Sequence, residues 1–233
     1  MKIGILLCDD FYPEAIEKFG QHDDAFKNLL NTLADAQFQT WRCHLGDFPK
    51  SPEQCDLWVV SGSKWSAYEE YEWIRQLMLF IGNIEASKKR LLGICFGHQI
   101  IHQALGGNVN RSSKGWGLGL YPVHIHENFQ NLKSGNKISV IAMHQDQVEI
   151  TAPDFTTIAG SEFCPNAITS RDGQILTIQA HPEFEPDFFI QLCEHVRENA
   201  GDEHVEFAQH QVSSQRDGDR KKLKTTISEF FSK

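Results

Sequence analysis

A cysteine between two glycines is the most reactive arrangement in this chain. Cys95 stands in Gly93-Ile94-Cys95-Phe96-Gly97-His98-Gln99, directly after the apolar pair Leu91-Leu92. The G-x-C-x-G spacing has a steric cause. A nucleophile on a tight strand–turn–helix junction needs small neighbours so that the turn can close against the sheet. The junction lifts the sulfur out of the strand and sets it at a helix N-terminus, where partial positive charge favours thiolate over thiol. The N–H of Phe96 is then free to stabilise an oxyanion. Taken alone, the spacing also fits a buried strand-end cysteine, the role expected of Cys8, Cys43, Cys55, Cys164 and Cys193.

A thiolate nucleophile wants a histidine, and the histidine wants a third group to orient it. The segment Gln179-Ala180-His181-Pro182-Glu183-Phe184 offers both. Pro182 biases His181 towards extended backbone, and residues two apart in an extended chain point the same way. Glu183 can therefore accept a hydrogen bond from the imidazole and fix its tautomer, leaving the other ring nitrogen for Cys95. Eleven histidines are present, and His98, His102, His124, His126 and His144 raise the question of a metal. They read as helix-surface or strand residues, and His124 with His126 lacks a third ligand. The cysteines form no C-x-x-C pair. No metal and no cofactor is expected.

The elements that must position these groups follow from periodicity. Lys2–Cys8, Phe38–Leu45, Asp56–Val60 and Arg90–Ile94 read as strands. His22–Ala36, Tyr71–Ser87 and Gly97–Leu105 read as helices, the last ending at Gly106-Gly107. This β-α rhythm predicts a doubly wound parallel sheet. Leu118–Ile125, Lys137–Met143, Thr156–Ser161, Ala167–Ser170 and Gln174–Gln179 are strand-like with few helices between them, which predicts a small added mixed or antiparallel sheet region. From Pro186 the pattern turns helical, with Phe188, Phe189, Leu192 and Val196 on one face. A terminal helix over Asp217–Phe231 is expected to be capped near Asp217 or Asp219, with Arg220-Lys221-Lys222 a solvated face.

The chain has 233 residues, of which 40% are hydrophobic, and a net charge of −9. It is expected to form a single domain over 1–233 with a helical extension from about residue 200. Such acidity disfavours general binding to nucleic acid or to an anionic membrane. The opening apolar stretch stops at Asp9-Asp10, too short for a signal peptide or a span. A cytoplasmic protein with reduced thiols is expected.

Together, Gly93–Gln99 and His181-Pro182-Glu183 resemble the class I, triad-type glutamine amidotransferase family, in the family's order and with the histidine 86 residues after the cysteine. Lys114-Gly115-Trp116 and Met143-His144-Gln145-Asp146-Gln147-Val148 look like the glutaminase domain of GMP synthases and their stand-alone relatives. The likeness covers residues 2–199. It implies a flavodoxin-like α/β fold and cleavage of the side-chain amide of glutamine or of another γ-glutamyl bond. Carried over, Cys95 attacks the γ-carbonyl, His181 moves the proton and Glu183 orients His181. Phe96 N–H and a backbone N–H at Ser63 or Gly62 would form the oxyanion hole. Gln99 would line the glutamyl pocket, and His144 and Asp146 would lie near the substrate α-amino group, a structural strand-end role being the alternative.

One departure stands out. The family commonly carries further glycine where this chain has Gly62-Ser63-Lys64, and Ser63 takes positive φ less cheaply than glycine. The hole is then expected to form differently, or only on partner binding. Ser61–Tyr68 looks instead like the branch of stand-alone amidotransferase-like proteins and γ-glutamyl peptidases. There is no P-loop and no G-x-G-x-x-G opening a helix. The chain is therefore expected either to work alone on a small γ-glutamyl substrate or to hand ammonia to a separate synthase subunit. A catalytically idle regulatory module, or another thiol hydrolase or redox protein on the same fold, stays open beside these.

Overall fold

Runs of leucine, isoleucine and valine become central strands because both faces are covered. Leu57–Val60 and Ile175–Ile178 are buried at every position. A computed structural model describes residues 1–215 and 218–232. Its first half runs β1 (Lys2–Leu7), α1 (Pro13–Phe19), α2 (His22–Leu29), β2 (Gln37–Arg42), β3 (Leu57–Val60), α3 (Glu72–Ala86), β4 (Arg90–Ile94) and α4 (Phe96–Ala104). Seven strands follow: β5 (Asn108–Arg111), β6 (Gly117–Ile125), β7 (Lys137–His144), β8 (Asp146–Ile150), β9 (Thr156–Gly160), β10 (Ile168–Arg171) and β11 (Ile175–Ile178). The chain continues through α5 (Pro186–Leu192), α6 (Arg197–Ala200), α7 (Asp202–Gln215) and α8 (Arg220–Phe231).

Nine strands form one sheet in the order β2-β1-β3-β4-β11-β10-β9-β6-β7. The first five are parallel and reproduce the flavodoxin-like 2-1-3-4-5 order, with β11 as the fifth strand. The remaining pairs are antiparallel. The added antiparallel region thus extends the main sheet, and a separate two-stranded ribbon, β5 with β8, stands beside it. On one side, Ile74, Leu77 and Ile81 of α3 and Ile100 and Ile101 of α4 share a cluster with Trp58 and Val60. On the other, Phe26 and Leu29 of α2 meet Leu223, Ile227 and Phe230 of α8 over Ile3, Ile5 and Ile94. The terminal helix is therefore part of the core, not an appendage.

Several boundaries differ from the periodicity. The helix from His22 stops at Leu29. Leu30 and Leu33 stay buried in turns, and Asp35 takes φ 53 so that the chain reverses into β2. That strand ends at Arg42, because Cys43–Leu45 coil into a 3₁₀ turn closed by left-handed Gly46. Helix α1 and strands β5 and β8 are additional; Asn108-Val109-Asn110-Arg111 is too short and polar to announce a strand. Asp217 lies outside the described residues. Asp219 sits at the N-cap of α8, but its carboxylate caps no backbone N–H of the helix: it accepts from the Ser139 N–H at 2.8 Å and pairs with Lys222 Nζ at 2.7 Å. Arg220 is not merely solvated: its Nε donates to the Pro182 carbonyl at 2.8 Å, and its guanidinium also reaches Glu185.

Helix α4 approaches the sheet closely enough to demand glycine. A Cβ on Gly97 would lie 2.2 Å from the Val60 carbonyl oxygen, and one on Gly93 2.5 Å from that of Gly97. Forcing a methyl into such a contact costs about 1–3 kcal/mol or more. Gly97→Ala is expected to lower Tm by at least about 5 °C in a calorimetric melt; an unchanged Tm would show that the junction is looser than this.

Candidate active site

All of the loops that matter leave the carboxyl edge of the parallel strands, where open α/β sheets place their sites. Cys8 follows β1, Ser61–Ser63 follow β3, Cys95 follows β4 and His181 follows β11. Cys95 is the N-cap of α4 and holds φ 52, ψ −106, a strained conformation for a residue with a side chain. The strain is held by the Cys95 N–H to Ile178 carbonyl bond at 2.9 Å and by the glycine contacts on either side. Its carbonyl accepts from the Gln99 N–H at 3.0 Å, the first intrahelical bond. The N–H groups of Phe96, Gly97 and His98 therefore have no acceptor within the helix.

His181, Glu183 and Cys95 come together. His181 Nδ1 donates to Glu183 Oε1 at 2.7 Å, the imidazole lies close enough to Cys95 for the two to be electrostatically coupled, and the Cys95 sulfur itself reaches the Met143 carbonyl at 3.9 Å. Cys95 and His181 are 5% exposed and Glu183 is 3% exposed, so the three are nearly withdrawn from water. Burial pushes the His181 imidazole down, but the neighbouring Cys95 and Glu183 outweigh it and hold the pKa up at about 10. The phenyl ring of Phe184 lies flat on the imidazole, 4.0 Å between centroids and 8° between planes. An imidazolium clamped between a carboxylate and a sulfur can support thiolate attack and then deliver its proton.

The Gly62-Ser63 segment lies against this pair. A Cβ on Gly62 would be 3.3 Å from His181 Cε1 and 3.8 Å from Cys95 Cβ. Neither Gly62 nor Ser63 has positive φ, so the serine introduces no strain, contrary to the difficulty expected from the sequence. Ser61 Oγ donates to the Gly62 carbonyl at 2.9 Å and accepts from the Cys8 N–H at 2.8 Å. Since Ser61 is fully buried, that carbonyl is turned inwards. In a trans peptide the N–H points the opposite way, so the Ser63 N–H is aimed outwards. The Ser63 hydroxyl is occupied with the Cys8 carbonyl at 3.0 Å.

Gln99, His144 and Asp146 line the same cleft as Cys95 and His181, a cavity of about 390 Å³. Gln99 Nε2 donates to the Asp146 carbonyl at 2.8 Å and to Gln179 Oε1 at 3.1 Å. His144 Nδ1 donates to the same carbonyl at 3.1 Å, and burial lowers its pKa to about 4, so it is neutral. Asp146 accepts from the Tyr68 hydroxyl at 3.3 Å. Phe96 and Glu183 stand behind the cleft wall. His98 and His102 are not on the helix surface as expected; both are fully buried, bonded to Thr177 Oγ1 at 2.7 Å and Thr169 Oγ1 at 2.8 Å. Burial holds both in the neutral form, His102 at about 4 and His98 well below its ordinary value. His124 and His126 are exposed. All six cysteines are free and buried.

Sequence reasoning missed a second set of lining residues: Phe11, Tyr12, Trp65, Arg111, Leu192 and His195. Apart from Trp65, which lies within Ser61–Tyr68, they belong to no motif; they come from loops, short helices and the end of β5, and only the sheet order brings them to the cleft. No group of three histidine, cysteine or acidic side chains suited to a metal occurs among the described residues. Nor is any helix among them long and apolar enough to cross a membrane.

The family model described as glutamine amidotransferase class-I matches residues 22–189. The chain belongs to the class I glutamine amidotransferase family. It is 31% identical over 189 residues to gamma-glutamyl peptidase 2 of Arabidopsis thaliana, covering 77% of this chain and 75% of that protein. A shorter stretch of 95 residues is 38% identical to the glutamine-hydrolysing GMP synthase of Thermus thermophilus, 40% of this chain and 18% of that one. The crystal structure of a glutamine amidotransferase from Thermotoga maritima superposes with a TM-score of 0.76 at 19% identity, covering 99% of this chain and 96% of that chain. The last of these supports the fold alone.

The charged His181 gives a pH-dependent signature. Its pKa lies above the ordinary value of 6.5, so its contribution to stability is fully present below that value and is lost as pH rises through about 10. Ring-nitrogen NMR is expected to show His181 protonated up to about pH 10, and a lower midpoint in Cys95→Ala, which deletes the largest raising influence. Equal midpoints in the two proteins would refute the coupling.

Proposed function

We propose that this amidotransferase-family protein hydrolyses a γ-glutamyl amide bond through a Cys95 thioester. The observation that carries the reading is the buried His181, bonded to Glu183 Oε1 and sharing the cleft with Cys95, with Gly62 against both. Cys95 Sγ attacks the γ-carbonyl of glutamine or of a γ-glutamyl peptide. The oxyanion takes hydrogen bonds from the Phe96 N–H and the Ser63 N–H, with Gly62 leaving room for the tetrahedral centre. Losing one such donor costs about 10²–10³ in rate. As the C–N bond breaks, His181 gives its proton to the leaving amine, and Glu183 keeps the imidazole in register. Water then attacks the thioester, His181 takes up a proton from it, and glutamate leaves as the thiolate–imidazolium pair reforms. Gln99, His144 and Asp146 hold the glutamyl end, His144 as a neutral group.

Within this chemistry we favour a stand-alone hydrolase acting on a small γ-glutamyl substrate. The likeness to gamma-glutamyl peptidase 2 along three quarters of both chains supports it. The local likeness to a GMP synthase supports a second reading, a glutaminase that passes ammonia to a separate synthase subunit.

Incubation of the purified protein with glutamine and with γ-glutamyl dipeptides tests the proposal. Cys95→Ala is expected to lower turnover by at least about 10³-fold, and Glu183→Gln by at least about 10²-fold, through loss of kcat. Turnover that survives Cys95→Ala would sink it. Glutamine turnover that needs an added synthase subunit would select the second reading.

A further inference from the structure

The two walls of the cleft rest on separate apolar clusters. Gln99 belongs to α4 and Asp146 to the β5–β8 ribbon, which packs through Val109 and Val148 into the cluster of Phe96 and Ile100. The facing wall is Phe11, Tyr12, Phe184, Leu192, His195 and Val196. All but His195 pack into a different cluster, shared with α5 and α7. His195 is fixed to it by Tyr12, their rings 3.5 Å apart and 5° from parallel, while His195 Nε2 is held by Glu14 Oε1 at 3.1 Å. The pair is thus a flat platform locked on both sides, suited to an apolar or aromatic surface.

His181 belongs to this second wall. Its ring lies on Phe184, and Phe184 meets Phe11 edge-on at 6.4 Å. A general acid must touch the nitrogen it protonates. If His181 is that acid, the leaving group lies on the Phe11–Tyr12 side and the glutamyl group on the Gln99 side. Ammonia takes about the share of one water, roughly 30 Å³. The cavity of about 390 Å³ must also take the glutamyl group, but a wall of six aromatic and aliphatic residues on the other side is far more than that leaving group needs.

We infer that Phe11, Tyr12, Leu192 and His195 form a leaving-group subsite for the amino-acid portion of a γ-glutamyl peptide, one selective for apolar or aromatic side chains. The inference rests on the thioester reading above and goes beyond it in naming the side chain that the site selects. The peptide bond that breaks is the γ-glutamyl C–N bond, and the free amine, carrying the His181 proton, departs from this wall.

Steady-state kinetics with glutamine, γ-glutamylglycine and γ-glutamylphenylalanine test it in the wild type, Tyr12→Ala, Tyr12→Phe and Leu192→Ala, each checked for folding by thermal melt. The wild type is expected to prefer γ-glutamylphenylalanine over γ-glutamylglycine by at least about tenfold in kcat/KM. Tyr12→Ala and Leu192→Ala are expected to lower the ratio of kcat/KM for γ-glutamylphenylalanine to that for glutamine at least fivefold, mainly through KM, and Tyr12→Phe to restore it. Glutamine turnover without dipeptide turnover would overturn the subsite and leave the thioester reading standing. Equal losses on both substrates would reduce the wall to a structural role and also overturn it. No Cys95-dependent turnover of any of the three would overturn both.

Discussion

The structure depends most on a histidine held between a carboxylate and a sulfur in a nearly dry place. A buried imidazolium is expensive unless opposite charge and hydrogen bonds surround it. His181 has the charge of Cys95 on one side and the hydrogen-bonded carboxylate of Glu183 on the other. Breaking either side would leave the remaining charges poorly compensated, so the three residues stand as one unit rather than as three contributions. The Phe184 ring stacked on the imidazole and the Gly62 backbone against its edge keep water away and the ring in plane.

Holding that unit together is a packing problem solved some distance from the sulfur. Cys95 can keep its strained backbone only if α4 presses against β3 and β4. That approach leaves no room for side chains at Gly93 or Gly97. The other two edges of the site are tied in by different elements. Ser61 and Cys8 link the ends of β3 and β1, and Arg220 of α8 grips the Pro182 carbonyl between His181 and Glu183. Helix α8 therefore reaches from the core cluster to the loop that carries the proposed base.

Much of this was legible in the amino-acid order. The central parallel strands are continuous apolar runs, and the Gly93–Gln99 turn states its own steric requirement. His181 and Glu183 sit two apart around a proline that keeps the backbone extended. The unreadable parts are those decided by distant neighbours. Ser63 looked unsuited to an oxyanion strand because glycine was assumed to supply positive φ; the chain instead turns the peptide with the buried Ser61 hydroxyl, and no positive φ is used. His98 and His102 looked like surface residues because helical spacing cannot reveal that α4 is covered on all sides, with Thr169 and Thr177 waiting in the strands. The Tyr12–His195 platform joins residues 183 positions apart in the chain, and no local pattern announces such a meeting.

The central claim is that the γ-glutamyl group passes through a covalent bond to one sulfur among six. Acid quenching during turnover of glutamine, followed by intact-mass measurement and peptide mapping, reads that directly. The account predicts a mass increase of one glutamyl group, located on the peptide containing Cys95 and absent from Cys95→Ala. Turnover with no adduct at Cys95, under conditions that make thioester hydrolysis rate-limiting, or an adduct on any other cysteine, would contradict it.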